Sequence, residues 1–307
     1  MEEVNLAQTI QIGLPRGLLY YEYGSLWQSF FESLGAQVVV SGETTKEMLN
    51  SGGVLDEVCL PLKVYVGHVA SLAGKTDCLF VPRIVSVARQ TYTCPKIMGL
   101  PDIIRSNISG LPEIIDPNIS LRQRSTDILD AVIDTGRRLG QSKTFSIRAW
   151  YFAWRQAKAK RTLPVAQSAN IRVGLIGHKY LIYDRFISMN ALDKLLAAGV
   201  DIITPDMVPA DQIDKAARSI DKKIYWSYCH ELAGAALALI GQQAVDGLVF
   251  LTSFSCGPDS LISEIIKRRT QAGNVPFMLL NLDEHTAEAG LLTRIEAFTD
   301  MLKRRNR

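Results

Sequence analysis

The sequence predicts an α/β protein: two doubly wound domains with mainly parallel sheets, joined by a helical segment. Two observations carry this expectation. A strand–loop–helix–strand unit occupies residues 10–41, and the same unit returns after residue 170. The stretch between them has helical periodicity instead.

In the first unit, Ile10-Gln11-Ile12-Gly13-Leu14 is a short strand and Pro15-Arg16-Gly17 breaks it. Over residues 18–34, aromatic and aliphatic residues recur at helical spacing until Gly35 stops the helix. Ala36-Gln37-Val38-Val39-Val40 is the next strand. In the second unit, Ile171-Arg172-Val173-Gly174-Leu175-Ile176 is the strand and Gly177-His178-Lys179 the loop. A helix follows over 185–198, Gly199 stops it, and 200–204 is a strand. Both units carry Gly-Leu near the first strand's end and a glycine before the second strand. The simplest reading is an internal duplication of a Rossmann-like βαβ unit. The alternative is two ordinary units alike by coincidence.

Two further buried strands, 77–82 and 246–251, hold equivalent places, each with a cysteine downstream. A βα unit over 275–302 closes the second half. Residues 106–117 are rich in Ser, Asn, Gly and Pro and read as loop. Residues 121–139 and 146–163 read as helices, and 164–170 as a linker. The expected domains are therefore 1–110, holding Cys59 and Cys94, a helical connector over 111–168, and 169–307, holding Cys256.

The 307 residues suffice for about two domains of ordinary size. With 47% hydrophobic residues, each can bury a sizeable core. A net charge of +3 does not argue for a nucleic-acid partner, which requires a clustered basic face. No apolar run approaches the ~20 residues of a membrane span. The acidic start, Met1-Glu2-Glu3-Val4, is no signal peptide. The expected location is the cytoplasm, where thiols stay reduced.

Cysteine is therefore informative. Three of the five cysteines stand one or two residues before a proline: Cys59-Leu60-Pro61, Cys94-Pro95 and Cys256-Gly257-Pro258. Proline suits the first turn of a helix, where its missing N–H costs nothing. Thiols just ahead of helix starts feel a positive end that favours thiolate, the metal-binding form. These loops are candidates to converge on one iron–sulfur cluster built from both halves. The competing reading makes them small buried residues at strand ends. Spacing alone leaves both open. Cys78 reads as core, and Cys229 is a candidate fourth ligand. The close cysteine pairs of structural zinc sites are absent.

His178 and His285 follow strands, where ligands and protons are handled in open α/β sheets, and Arg16 lies on a strand-end loop suited to an anion. His68 lies in a helix and reads as structural. Neither glycine-rich nucleotide fingerprint occurs, so the fold carries no nucleotide expectation.

At these residues the chain resembles the 2-hydroxyacyl-CoA dehydratase D-component family, in particular proteins related to the acyl-CoA dehydratase activase. The matching stretches are Ile12-Gly13-Leu14-Pro15-Arg16-Gly17, Glu57-Val58-Cys59-Leu60-Pro61, Pro82-Arg83-Ile84 running to Thr93-Cys94-Pro95, Gly177-His178-Lys179-Tyr180, Ser255-Cys256-Gly257-Pro258-Asp259-Ser260 and Asp283-Glu284-His285-Thr286. They span nearly the whole chain. The resemblance implies a 4Fe-4S cluster held by Cys59, Cys94 and Cys256, with one iron free of protein thiolate. It implies an ATP-dependent activase as electron donor and an acyl-CoA or other small molecule as substrate, with Arg16, His178 and His285 lining the cleft. Full dehydratases of this type pair two different subunits, so a homo- or heterodimer is expected. The absence of a Cys-Cys pair argues against a double-cubane cluster. Lys179 departs from the proline associated with this loop. The rival expectation is a two-domain protein that closes on a small ligand, with structural cysteines and no cluster.

Overall fold

Each half is organised around a four-stranded parallel sheet. The computed structural model describes residues 9–159 and 171–305. The expected linker over 164–170, the end of the helix expected over 146–163 and the acidic N-terminus lie outside the described residues. In the first half, β1 (Gln11–Leu14) leads through α1 (Tyr20–Ser33) to β2 (Gln37–Val40). Helices α2 (Lys46–Ser51) and α3 (Leu60–Leu72) precede β3 (Cys78–Phe80) and β4 (Arg83–Ser86). Next come α4 (Pro95–Met98), α5 (Leu100–Asn107), β5 (Glu113–Ile115) and β6 (Asn118–Ser120). Helices α6 (Ile128–Arg138) and α7 (Lys143–Ala159) follow. The second half runs β7 (Arg172–Ile176), α8 (Lys179–Ile182), α9 (Ala191–Ala197), β8 (Asp201–Ile203), α10 (Ala210–Ala217), α11 (Ser227–Gly241) and β9 (Gly247–Ser253). It ends with α12 (Gly257–Ala272), β10 (Phe277–Leu282) and α13 (Glu288–Arg305).

The strand orders are β2-β1-β3-β5 and β8-β7-β9-β10, the same topology twice. The registers correspond as well. Ile12 lies opposite Val38 and Cys78, as Val173 lies opposite Ile202 and Gly247. The Asp77 carboxylate accepts from the Gln11 backbone N–H at 2.7 Å, and Asp246 accepts from that of Arg172 at 2.7 Å. An acid tying the start of a neighbouring strand is thus used at the same place in both sheets.

Three sequence expectations change. Residues 106–117, read as loop, supply the end of α5 and strand β5, which pairs with β3. The segment read as a helical connector therefore holds two strands besides its helices. It also packs on the first half: Trp150 of α7 lies 5.0 Å from Trp27 of α1. The stretch after Pro95 (Lys96-Ile97-Met98-Gly99-Leu100-Pro101) shows too little pattern in sequence to read as a helix, yet it forms α4 and the start of α5. Gly99 separates them, and Pro101 sits in the first turn of α5, where a new helix can begin. The helix expected over 185–198 is limited to α9, because Met189 and Asn190 take left-handed backbone conformations.

The core is continuous across the halves. Leu62, Val66 and Leu79 belong to the same buried cluster as Leu175, Val249 and Leu280. Helix α3 is buried on nearly every face. Helix α2 reaches it at Gly67 and Gly52, where a side chain would overlap the backbone of Met48 or Lys63. Among the described residues no helix is long and apolar enough to cross a membrane.

A chain of directed hydrogen bonds also joins the halves. The Arg16 N–H donates to Ser41 Oγ at 2.7 Å, and the Ser41 hydroxyl donates to His68 Nδ1 at 2.9 Å. His68 Nε2–H donates to Thr44 Oγ1 at 2.9 Å, and the Thr44 hydroxyl donates to Asp184 Oδ2 at 2.5 Å. The carboxylate acceptor at one end and the amide donor at the other fix every direction, and with it the neutral tautomer of His68.

Burial, followed by the Arg16 charge, lowers the His68 pKa from 6.5 to about 4. Between these values the unfolded chain takes up a proton that the folded chain refuses. The histidine's contribution is complete above pH 6.5 and is lost as pH falls toward 4, by about 3 kcal/mol at the end of that window. Urea unfolding of wild type and His68→Gln at about pH 7 and about pH 4.5 checks this. The stability difference between the two proteins is expected to shift toward the variant at the lower pH.

Candidate metal centre

The three Cys–Pro loops end in the same local structure. Cys59 stands at the cap position of α3, Cys94 at that of α4 and Cys256 at that of α12. Proline lies in the first turn of each helix, as expected from sequence for Pro61 and Pro258 and unexpectedly for Pro95. Ser255, just before Cys256, and Glu57, two residues before Cys59, hold left-handed backbone (φ 64° and 53°). Such strain persists only where the surroundings enforce it.

The loops meet. Cys59, Cys94 and Cys256 line one cavity, together with His178, Tyr180 and Cys229. The first two cysteines come from the first half and the others from the second. The buried Tyr180 is the shared neighbour. Its pKa is pushed well up by burial and then by Asp259, Cys256, Cys59 and Cys94. The Tyr180 ring stacks on His178 with centroids 4.8 Å apart. The Lys96 ammonium reaches the Ser255 carbonyl at 3.5 Å, which sets a cation of the Cys94 helix over the Cys256 loop.

Burial raises the Cys59 thiol, while the Lys96 charge and the Leu62 amide pull it down. The Cys256 thiol is raised by burial and then by Asp259. The Cys229 thiol is raised by burial, Asp259 and Cys94, and its Sγ lies 3.9 Å from Asp259 Oδ1. The metal-free thiols of Cys59 and Cys256 are therefore protonated near neutral pH, although metals bind the thiolate.

Asp259 was not singled out from sequence. An acid in the first turn of a helix is ordinary there, since it complements the helix dipole. In the structure its side chain is fully buried. Its Oδ1 accepts from His178 Nε2 at 2.9 Å and its Oδ2 from the Thr252 hydroxyl at 3.3 Å. Burial works to lower the His178 pKa, but Asp259, by charge and hydrogen bond, and Glu231 more than offset it, so the net shift is upward. His178, Cys256 and Asp259 offer ligand atoms that all lie within 4.8 Å of one another, a candidate three-ligand metal site.

The other expected residues are placed as follows. Cys78 is buried in β3, with its thiol raised to about 11 by burial, Glu113 and Asp77. Arg16 and His285 are not among the residues lining the cysteine cavity. The Arg16 guanidinium is 3.5 Å from Glu43. His285 lies on the turn after β10 with its side chain 87% exposed. The neighbouring Glu284 holds Lys63 of α3 at 3.0 Å, another tie between the halves.

The fold is thus two parallel-sheet halves with a candidate metal site where the cysteine loops meet. Residues 11–208 match the family described as CoA enzyme activase uncharacterised domain (DUF2229), and the chain belongs to that family. Residues 155–302 match the 2-hydroxyglutaryl-CoA dehydratase, D-component. The first match contains Cys59, Cys94 and His178, and the second contains His178, Cys256 and Asp259, so the cavity draws on both. No curated protein matches the chain.

Raised thiols set an expectation for metal loading. Each thiolate ligand releases a proton on binding, so metal affinity rises with pH. Titration of metal-free protein in weak buffer should show acidification on metal addition, with a smaller release from Cys256→Ala.

Proposed function

We propose that this chain is an iron–sulfur redox protein whose 4Fe-4S cluster is held by Cys59, Cys94 and Cys256. The observation that carries this is the convergence of three capping cysteines, from three loops and both halves, on one cavity. The donor set fits the group: thiols at helix starts, with Lys96 to offset negative charge. A cluster with three protein thiolates supplies an open iron that acts as a Lewis acid and a one-electron donor. His178, oriented by Asp259 and stacked on Tyr180, is the residue placed to meet a substrate there. Arg16 and His285 serve the cleft only after a rearrangement that turns them toward it. The partner is an ATP-dependent activase delivering the electron, in keeping with the activase-related match. The substrate is an acyl-CoA or a related small molecule, by analogy with the D-component match.

A second reading rests on the tighter grouping of His178, Cys256 and Asp259. Those atoms suit a single divalent ion with an open fourth position. The two readings separate cleanly. After anaerobic reconstitution, the cluster reading expects brown protein with about four irons and matching sulfide per chain. Cys59→Ala, Cys94→Ala or Cys256→Ala removes the iron, whereas Cys78→Ala and Asp259→Ala retain it. The single-ion reading expects one metal without sulfide, lost in Asp259→Ala and kept in Cys94→Ala. Protein that takes up no metal under these conditions overturns both.

A further inference from the structure

Tyr180 carries a hydroxyl that packing does not explain. The residue is 9% exposed, and its ring lies flat on His178 at an interplanar angle of 10°. A phenylalanine would fill the same space and make the same stack. A buried hydroxyl without a hydrogen bond costs stability, so such groups are normally partnered. Neighbouring tyrosines follow that rule. Tyr183 donates to Asp206 at 3.1 Å, and Tyr228, which meets the His178 ring edge-on, donates to Tyr23 at 3.3 Å. Among the described residues the Tyr180 hydroxyl has no such partner.

Its surroundings show what kind of acceptor fits. The charges that bear on the hydroxyl are those of Asp259, Cys256, Cys59 and Cys94, so it sits among the capping cysteines in the cavity they line. Both oxygens of Asp259 already accept, from His178 Nε2 at 2.9 Å and from the Thr252 hydroxyl at 3.3 Å. That leaves sulfur. A neutral thiol accepts weakly, whereas a metal-bound thiolate carries charge and accepts well. The hydroxyl is also held in place. Helix α8 begins just after His178, Asp259 fixes the His178 ring, and that ring fixes Tyr180. A donor fixed before its acceptor arrives loses little freedom on bonding.

We propose that the Tyr180 hydroxyl donates a hydrogen bond to a metal-bound sulfur in this cavity. It is a positioning residue, which stabilises charge on the sulfur without ligating the metal. That the metal is a 4Fe-4S cluster rests on the function proposed above, whereas a charged sulfur as acceptor does not. Reduction adds a negative charge to a cluster, so a donor at its sulfur favours the reduced form and raises the potential. The same donor strengthens the binding of any ion held through these cysteines, because it favours thiolate.

The test compares wild type with Tyr180→Phe, and with Tyr183→Phe as control. Metal-free Tyr180→Phe should unfold at the same temperature as wild type or higher, because it loses only an unbonded hydroxyl. A variant clearly less stable, or unfolded, overturns the proposal, since the hydroxyl then has a structural partner. After anaerobic reconstitution, a redox titration followed by EPR should show the Tyr180→Phe cluster shifted about tenfold toward its oxidised form, about 59 mV lower for one electron. Tyr183→Phe should leave the potential unmoved. The Fe–S stretching bands of wild type should shift in heavy water, and those of Tyr180→Phe should shift less. Cobalt(II) titration of metal-free protein, followed by its thiolate charge-transfer band, should show about tenfold weaker binding by Tyr180→Phe. Equal potentials, or an isotope shift that the variant keeps in full, overturn the donor and leave the cluster standing. Where either protein takes up no iron, cobalt affinity decides the donor, which is kept by that difference and overturned by equal binding or by none. Wild type without iron sinks the cluster in either case.

Discussion

A helix that is apolar on every face has to be covered on every face. Helix α3 is that helix, and its burial sets most of the molecule. Its residues belong to the buried cluster that runs into the second half. Helix α2 covers it through contacts close enough to require glycine. Cys59 stands at its start, Lys63 one turn on, and His68 beyond. Burying the helix therefore does three things at once. It brings Cys59 to the cavity that Cys256 lines, seats Lys63 on Glu284, and aligns His68 in the hydrogen-bond chain that ends at Asp184. The site between the halves and the stability of their union have the same cause.

Periodicity and punctuation made the frame readable. Helical spacing ended by Gly35 and Gly199, with apolar runs on either side, marked two βαβ units, and both glycines do hold left-handed backbone. Proline after cysteine marked two helix starts, those of α3 and α12, while α4 was too short to show a pattern. Strand β5 escaped because three residues flanked by Ser, Asn and Pro carry little pattern of their own. Its conformation is set by pairing with β3, a tertiary effect. Asp259 escaped because first-turn acids are common and mostly exposed. Only the convergence of Thr252, Cys229 and His178 from three other segments distinguishes it. Arg16 and His285 illustrate the opposite difficulty. Their positions on strand-end loops were legible, but the direction of a loop side chain depends on neighbours distant in sequence.

The charge balance of the cavity explains why it mixes these residue types. Burial favours neutral thiols, so each thiolate offered to a metal carries a deprotonation cost that weakens binding. Lys96 and the helix starts reduce that cost. Asp259 would increase it, because its charge also pushes Cys256 and Cys229 upward. His178 is the counterweight. A histidine drawn toward its charged form by Asp259 neutralises the carboxylate within one hydrogen bond. The pair then adds little net charge to the wall while presenting a fixed ring to the cavity. The adjoining cavity of the first half is lined by Leu18, Trp27, Phe80 and Ile84 together with Tyr20, Tyr23 and Tyr65, and carries no acid or histidine. The cysteines that line the metal-site cavity come from both halves, so the site belongs to the junction and to neither half alone.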